Sequence, residues 1–141
     1  MALGKARYLA AKSALARVHL DLVARRVGPL FLAGEVATCG VVDLELLFSA
    51  RSGADYLAIL SDRRSLPRAE VDEAQIERAV EVQTALARQG QHRGVSIPDL
   101  LIAAAAESAG LTVLHYDQDF DLVAEVTGQP CEWVVARGSV P

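Results

Sequence analysis

Glu45, Asp99, Asp117 and Asp119 are acids that stand where an apolar residue would be the easier choice. Glu45 has Val41 at i−4 and Phe48 at i+3, so it borders an apolar helix stripe rather than the wet face. Asp99 follows Pro98 in IPDLLIAAAAE, at the mouth of a helix that is apolar on most sides. Asp117 and Asp119 belong to TVLHYDQDFDLV, one directly after an apolar strand, the other in the first turn of the next helix. Each has an ordinary explanation by itself: a rim glutamate, acids complementing helix dipoles, an Asx turn or N-cap. Asp121, the next acid, reads as solvated surface.

Together they imply something further. Carboxylates about 4 Å apart repel by roughly 4 kcal/mol per pair at an effective dielectric of about 20. Proteins keep such a cluster mainly where a cation resolves it. An all-oxygen ligand set selects a hard ion, Mg²⁺ or Mn²⁺, which retains waters and binds phosphate. Ions so held activate water and stabilise a leaving oxygen in phosphodiester cleavage.

The elements that must position these acids alternate along the chain. Short strands are expected at Tyr8–Ala11, Glu35–Cys39, Leu111–Tyr116 and Cys131–Val135. Helices are expected from Ser13 to about Val27, stopped by Gly28-Pro29, and from Val41 to Ala50 with Val41, Leu44, Leu47 and Phe48 on one stripe. Ser52 caps a helix to about Arg63 that carries Tyr56, Leu57, Ile59 and Leu60. Asp72 caps one to about Gln89 with Ile76, Ala79, Val80 and Leu86 inward, and Pro98 opens one that ends at Gly110. A short helix from about Gln118 to Val126 follows. This alternation predicts one α/β domain over residues 1–141, three-layered α/β/α with a short, mainly parallel central sheet. Such sheets bind ligands at the carboxyl ends of their strands.

Composition agrees. A chain of 141 residues that is 52% hydrophobic can bury a full core. Two cysteines, Cys39 and Cys131, make neither a disulfide framework nor a zinc spacing, which suits reduced thiols in a cytoplasm. The apolar run LLIAAAA at 100–106 is far short of the ~20 residues of a membrane span. Lys12 and Arg17 interrupt the small-residue N-terminus before a signal-peptide core forms. The net charge of −4 is unusual for a protein that grips nucleic acid, so any such contact must be local.

With these residues in view, the chain resembles PIN-domain ribonucleases, and specifically VapC toxins of bacterial VapBC toxin–antitoxin pairs. SIPDLLIAAAAESAGLTVLHYDQDF is similar to the family's helix-start Asp, Ala-rich helix, buried strand and D-x-D-F turn, and GVVDLELL is similar to the segment bearing its acidic Glu. The resemblance implies that Glu45, Asp99 and Asp117 ligate Mg²⁺ or Mn²⁺, that Asp119 is a nearby catalytic acid, and that Ser13 braces the site. It also implies a departure. The family's first strand ends in an Asp followed by Thr or Lys and then Ser; here the run is Tyr8-Leu9-Ala10-Ala11-Lys12-Ser13. Ala11 stands where the first catalytic Asp is expected, by introduced replacement or natural loss; because the other site positions survive, replacement is favoured. A missing ligand weakens the ion's hold and lowers catalysis.

RNA would then be met by local cations: Arg88, His92 and Arg93 ahead of the site helix, with Arg25-Arg26, Arg63-Arg64 and Arg68 as further candidates. His92 and His115 lack a second His or Cys at ligand spacing and are not read as metal ligands. The resemblance implies a homodimer and a cognate VapB antitoxin whose tail lies in a groove between the helices at 13–27, 41–50 and 52–64. Two rivals stay open: a dead PIN domain that binds antitoxin or RNA without cutting, and a haloacid-dehalogenase-like phosphatase. The latter's D-x-D belongs on the first strand, not near residue 117.

Overall fold

The computed structural model describes residues 3–141. Four strands, β1 (Tyr8–Ala10), β2 (Val36–Ala37), β3 (Thr112–His115) and β4 (Cys131–Trp133), form one sheet in the order β2-β1-β3-β4. Every pairing is parallel. Seven helices connect them: α1 (Lys12–Leu15), α2 (Asp21–Leu32), α3 (Gly40–Phe48), α4 (Gly53–Arg64), α5 (Glu73–Ala87), α6 (Ile97–Ala109) and α7 (Asp119–Thr127).

Strand alternation sends side chains to two separate cores. Leu9, Ala37 and Val113 pack with Val42 of α3, Leu86 of α5, Ile102 and the alanines of α6, and Phe120 of α7. Tyr8, Leu114 and Val134 face the other way, onto Ala14 of α1 and Val23 and Val27 of α2. The expected three-layer arrangement with helices on both faces is therefore present.

The order 2-1-3-4 makes β1 and β3 the switch point, where connections leave in opposite directions. In open parallel sheets this crevice, beyond the strands' carboxyl ends, is the natural ligand site. Ala11 directly follows β1 there, its N–H donating to the Leu114 carbonyl at 2.9 Å, while β3 ends at His115 and the chain continues through Tyr116 to Asp117.

Several helix expectations need correction. The single helix read over 13–27 is two: a short α1, a turn, then α2, which passes through Gly28-Pro29 to Leu32. Pro29 removes one helical hydrogen-bond donor. The inward pair Val23 and Val27, continued by half-buried Leu30 and Phe31, outweighs it. On α3 the buried residues are Val42, Asp43 and Leu47, whereas Leu44 and Phe48, read as part of the inward stripe, are 68% and 92% exposed. On α4 Tyr56 and Leu57 are exposed, and on α5 Ile76 and Val80 are exposed while Ala79, Val82 and Leu86 face the core. The caps are as expected: Ser52 Oγ accepts from Asp55 N–H, Asp72 and Gln75 form a capping box, and Gly110 ends α6 in the left-handed region.

Candidate metal-binding active site

α6 brings the first acid to the switch point. Ser96 caps it, its Oγ accepting the Asp99 N–H at 3.3 Å, and this turns Asp99 toward the end of β3. Asp117 leaves β3 and its Oδ1 accepts the Asp119 N–H at 2.9 Å. Asp119 closes the ring, its Oδ2 accepting the Ser96 N–H at 3.1 Å. Asp99, Asp117 and Asp119 thereby present carboxylate oxygens that all lie within 4.8 Å of one another, each half-buried.

Three acids this close disfavour full ionisation. Burial, reinforced by Asp119 and Asp117, pushes the Asp99 carboxyl up to about 8, against a slight pull downward from the Ser96 hydroxyl. At neutral pH the cluster therefore holds a proton, or else a cation takes its place.

Glu45 lies outside that tight group. It sits on α3, which packs against α6 and α1. Its Oε1 is shut away from solvent and finds no hydrogen-bond partner among the described residues. Burial raises its carboxyl above the usual range, and the nearby Lys12 charge partly offsets this. An orphaned carboxylate oxygen is costly unless something outside the polypeptide satisfies it. The residues present therefore fit a hard divalent cation: an oxygen-only donor set, crowded anions, and one buried oxygen with no partner.

Ser13 braces this corner from the first turn of α1, its Oγ accepting the Tyr116 N–H at 2.9 Å. Ala11 lies among the core residues on the face covered by α3 and α6, and its methyl is 1% exposed. His115 is fully buried, stacks against Phe120 and Trp133, and accepts the Asp117 N–H on Nδ1 at 3.2 Å. Burial drives it down to about 4, so it serves as a neutral acceptor under the site.

The structure redistributes the cations. Arg88, His92 and Arg93 are exposed on the segment leading to Ser96, and their side chains have no hydrogen-bond or ion-pair partner among the described residues. Arg63 and Arg68, read as RNA candidates, are committed elsewhere. Arg63 is 6% exposed, with Nε 3.0 Å from Asp43 Oδ1 and a terminal nitrogen 2.6 Å from Thr38 Oγ1, and Arg68 pairs with the other Asp43 oxygen. Arg26 is paired with Glu132. Asp121 is not merely surface: it accepts the Trp133 indole N–H at 3.1 Å.

Sequence reasoning missed the Asp43 network. The signal available was an acid one turn into an apolar helix, GVVDLELL, between Val42 and Leu44. Its partners lie 20 and 25 residues away, which no local pattern reveals.

Comparison with known proteins agrees with this geometry. The profile of the PIN domain matches residues 7–126. The chain is 48% identical over 134 residues to ribonuclease VapC21 of Mycobacterium tuberculosis, covering 94% of this chain and 97% of that protein. Among solved structures it is similar to DNA-bound VapBC from Salmonella typhimurium, with a TM-score of 0.73, 19% identity, and coverage of 92% of this chain and 99% of that one. It is also similar to VapBC-5 of Mycobacterium tuberculosis, described as a member of the VapBC family of toxin–antitoxin systems, with a TM-score of 0.59, 28% identity, and coverage of 91% and 96%.

Proposed function

Because the chain belongs to the PIN domain family, and within it to the VapC ribonucleases, we propose that it is the toxin of a type II toxin–antitoxin pair whose acid cluster is built for metal-dependent cleavage of RNA. The observation that carries this reading is the convergence of Asp99, Asp117 and Asp119 at the β1/β3 switch point.

Asp99, Asp117, Asp119 and Glu45 are the residues that would hold Mg²⁺ or Mn²⁺. When bound, such an ion supplies an activated water and stabilises charge on the phosphoryl oxygens. The chain's own residues supply the order. The Ser96 and Asp119 amides fix the Asp119 and Asp117 carboxylates, and Ser13 holds the end of β3 in place. Asp99 keeps a proton until a cation displaces it. Ala11 offers no ligand, so this chain is a weakened form of the enzyme. A second reading, a silent PIN domain that binds without cutting, draws support from the same methyl, packed into the core as a finished part of it.

The antitoxin reading rests on family membership and on a groove of about 540 Å³ between α1, α2, α3 and α4, lined by Leu15, Val18, Val27, Phe31, Leu46 and Ile59. An amphipathic VapB tail fits an apolar groove of that kind. A homodimer is part of the same proposal, and exposed apolar side chains such as Phe48 suit a covered face.

The test is RNA cleavage by this chain beside its Ala11→Asp form, with Mg²⁺ or Mn²⁺ and again with EDTA. Cutting by the Asp form that EDTA abolishes is the expected result. Failure of both forms on a broad RNA panel would replace the enzyme reading with the binding one.

A further inference from the structure

A second cleft, of about 710 Å³, lies between α1, the end of α3 and the start of α4. Lys12, Ser49, Arg51, Ser52 and Asp55 line it. Glu45 and Ser49 are four residues apart on α3, so they share a face and stand about 6 Å apart along the axis. Lys12 is close enough to Glu45 for its charge to favour the ionised carboxylate. Lys12 also directly follows Ala11 at the carboxyl end of β1, where the Ala11 N–H donates to the Leu114 carbonyl, so the cleft and the switch point meet at the start of α1.

Its cations are uncommitted. Among the described residues neither the Lys12 ammonium nor the Arg51 guanidinium has a hydrogen-bond or ion-pair partner, in contrast to Arg26, Arg63, Arg68 and Arg78. The one acid in the lining, Asp55, is turned to its own helix start, where its Oδ2 accepts the Arg51 N–H at 3.0 Å. The hydroxyls are complementary in kind. Ser52 Oγ already accepts the Asp55 N–H at 3.1 Å, which leaves its proton to donate. Ser49 Oγ already donates to the Leu46 carbonyl at 2.6 Å, which leaves its lone pairs to accept. A ribose-phosphate backbone has the matching groups: anionic oxygens for the cations and the Ser52 proton, and a 2′-hydroxyl for Ser49.

We propose that this cleft is a backbone subsite for single-stranded RNA, in which Lys12 and Arg51 contact the phosphate next to the one placed at the acid cluster. The inference rests on the ribonuclease reading for its substrate class. It answers how a chain of net charge −4 holds a polyanion: two local cations beside the site act where the whole-molecule field repels. An acidic polypeptide is the competing occupant, and the ribonuclease reading is what favours RNA over it.

The experiment is fluorescence anisotropy of a labelled oligouridylate, in EDTA, with the full chain across a salt series. Lys12→Gln and Arg51→Gln are each expected to weaken binding and to reduce the magnitude of the log–log salt slope by about 0.7, the single-strand value for one lost phosphate contact. The double variant should lose about twice that, and Lys5→Gln, an exposed residue before the opposite end of β1, should change nothing. Both cleft side chains lie outside the core, and matching melting curves establish that the variants fold. Unchanged slopes in both variants overturn the proposal. So does the absence of RNA binding by the parent at low salt, and so does binding of an oligoglutamate with the same Lys12 and Arg51 dependence in preference to RNA. The outcome is separable from the cleavage test. If Ala11→Asp cuts RNA and these slopes stay fixed, the subsite is wrong and the ribonuclease stands. If the slopes fall and no form cuts, the cleft holds RNA and the ribonuclease reading fails.

Discussion

Asp99 carries the chemistry of this site in its protonation. Its carboxyl is held up at about 8 in the folded chain, well above the ordinary 3.8. Between those values the folded chain retains a proton that the unfolded chain has released, so stability falls as pH rises through that window. Asp99→Asn removes the ionisation. The expected result is a melting temperature above the parent's near pH 8, with the difference closing toward pH 4, read by calorimetry over the interval that Asp99 titrates. Added Mg²⁺ should stabilise the parent more at the alkaline end, where the carboxylates are free to receive it. A difference between parent and variant that stays level across the window would mean that Asp99 is not the group coupled to folding. Ala11 belongs to the same scale: its buried methyl adds no charge to the cluster.

At the scale of elements, α3 does two jobs with two acids, two residues apart. Glu45 keeps a buried, unpartnered oxygen. Asp43 points the opposite way and fastens the helix: Thr38 donates to it at 2.8 Å, Arg63 reaches it from α4, and Arg68 from the segment bridged to Thr38. Removing one member of such a buried set strands the remaining charges, with a typical loss of about 3–5 kcal/mol. Asp43→Asn and Arg63→Met, measured singly by urea unfolding, should each show a loss approaching that range. The pair Asp43→Asn with Arg63→Met should be less damaging than the sum of the two, since the one charge left behind, Arg68, is partly exposed. Additive losses would show that the residues act independently. The network also explains why two arginines that read as RNA contacts are absent from the free cationic surface.

At the scale of the molecule, the sheet divides the protein into an acid edge and an apolar flank. The groove between α1, α2, α3 and α4 opens on the flank and shares only Ile59 with the cleft at Lys12 and Arg51, so the proposed antitoxin and RNA surfaces are open to separate substitutions. Leu46→Asp, in the groove lining, should abolish co-purification with a co-expressed VapB antitoxin. In the Ala11→Asp background it should leave RNA cleavage in place. Retained antitoxin capture by the Leu46 variant would move the tail to another surface. No described helix is long and apolar enough to cross a membrane.

The sequence by itself determined the layered α/β plan, because strand and helix periodicities differ and their alternation leaves few packings open. It determined three helix ends through local chemistry: Ser52, Asp72 and Gly110 cap as their side chains or backbone freedom dictate. It placed Asp99, Asp117 and Asp119 at positions that the plan sends to one sheet edge, whereas Glu45, expected with them, stands outside their tight group. Only the tertiary structure decided the rest. It broke the helix read over 13–27 and carried α2 past Pro29, because burial of Val23 and Val27 outweighs a lost hydrogen bond. It left Leu44 and Phe48 in the open, because which stripe of a nearly all-apolar helix turns inward depends on the neighbours it meets. It separated the committed cations, Arg63 and Arg68, from the free ones, Lys12 and Arg51, because an ion pair is a fact of distance in space and the sequence records distance only along the chain.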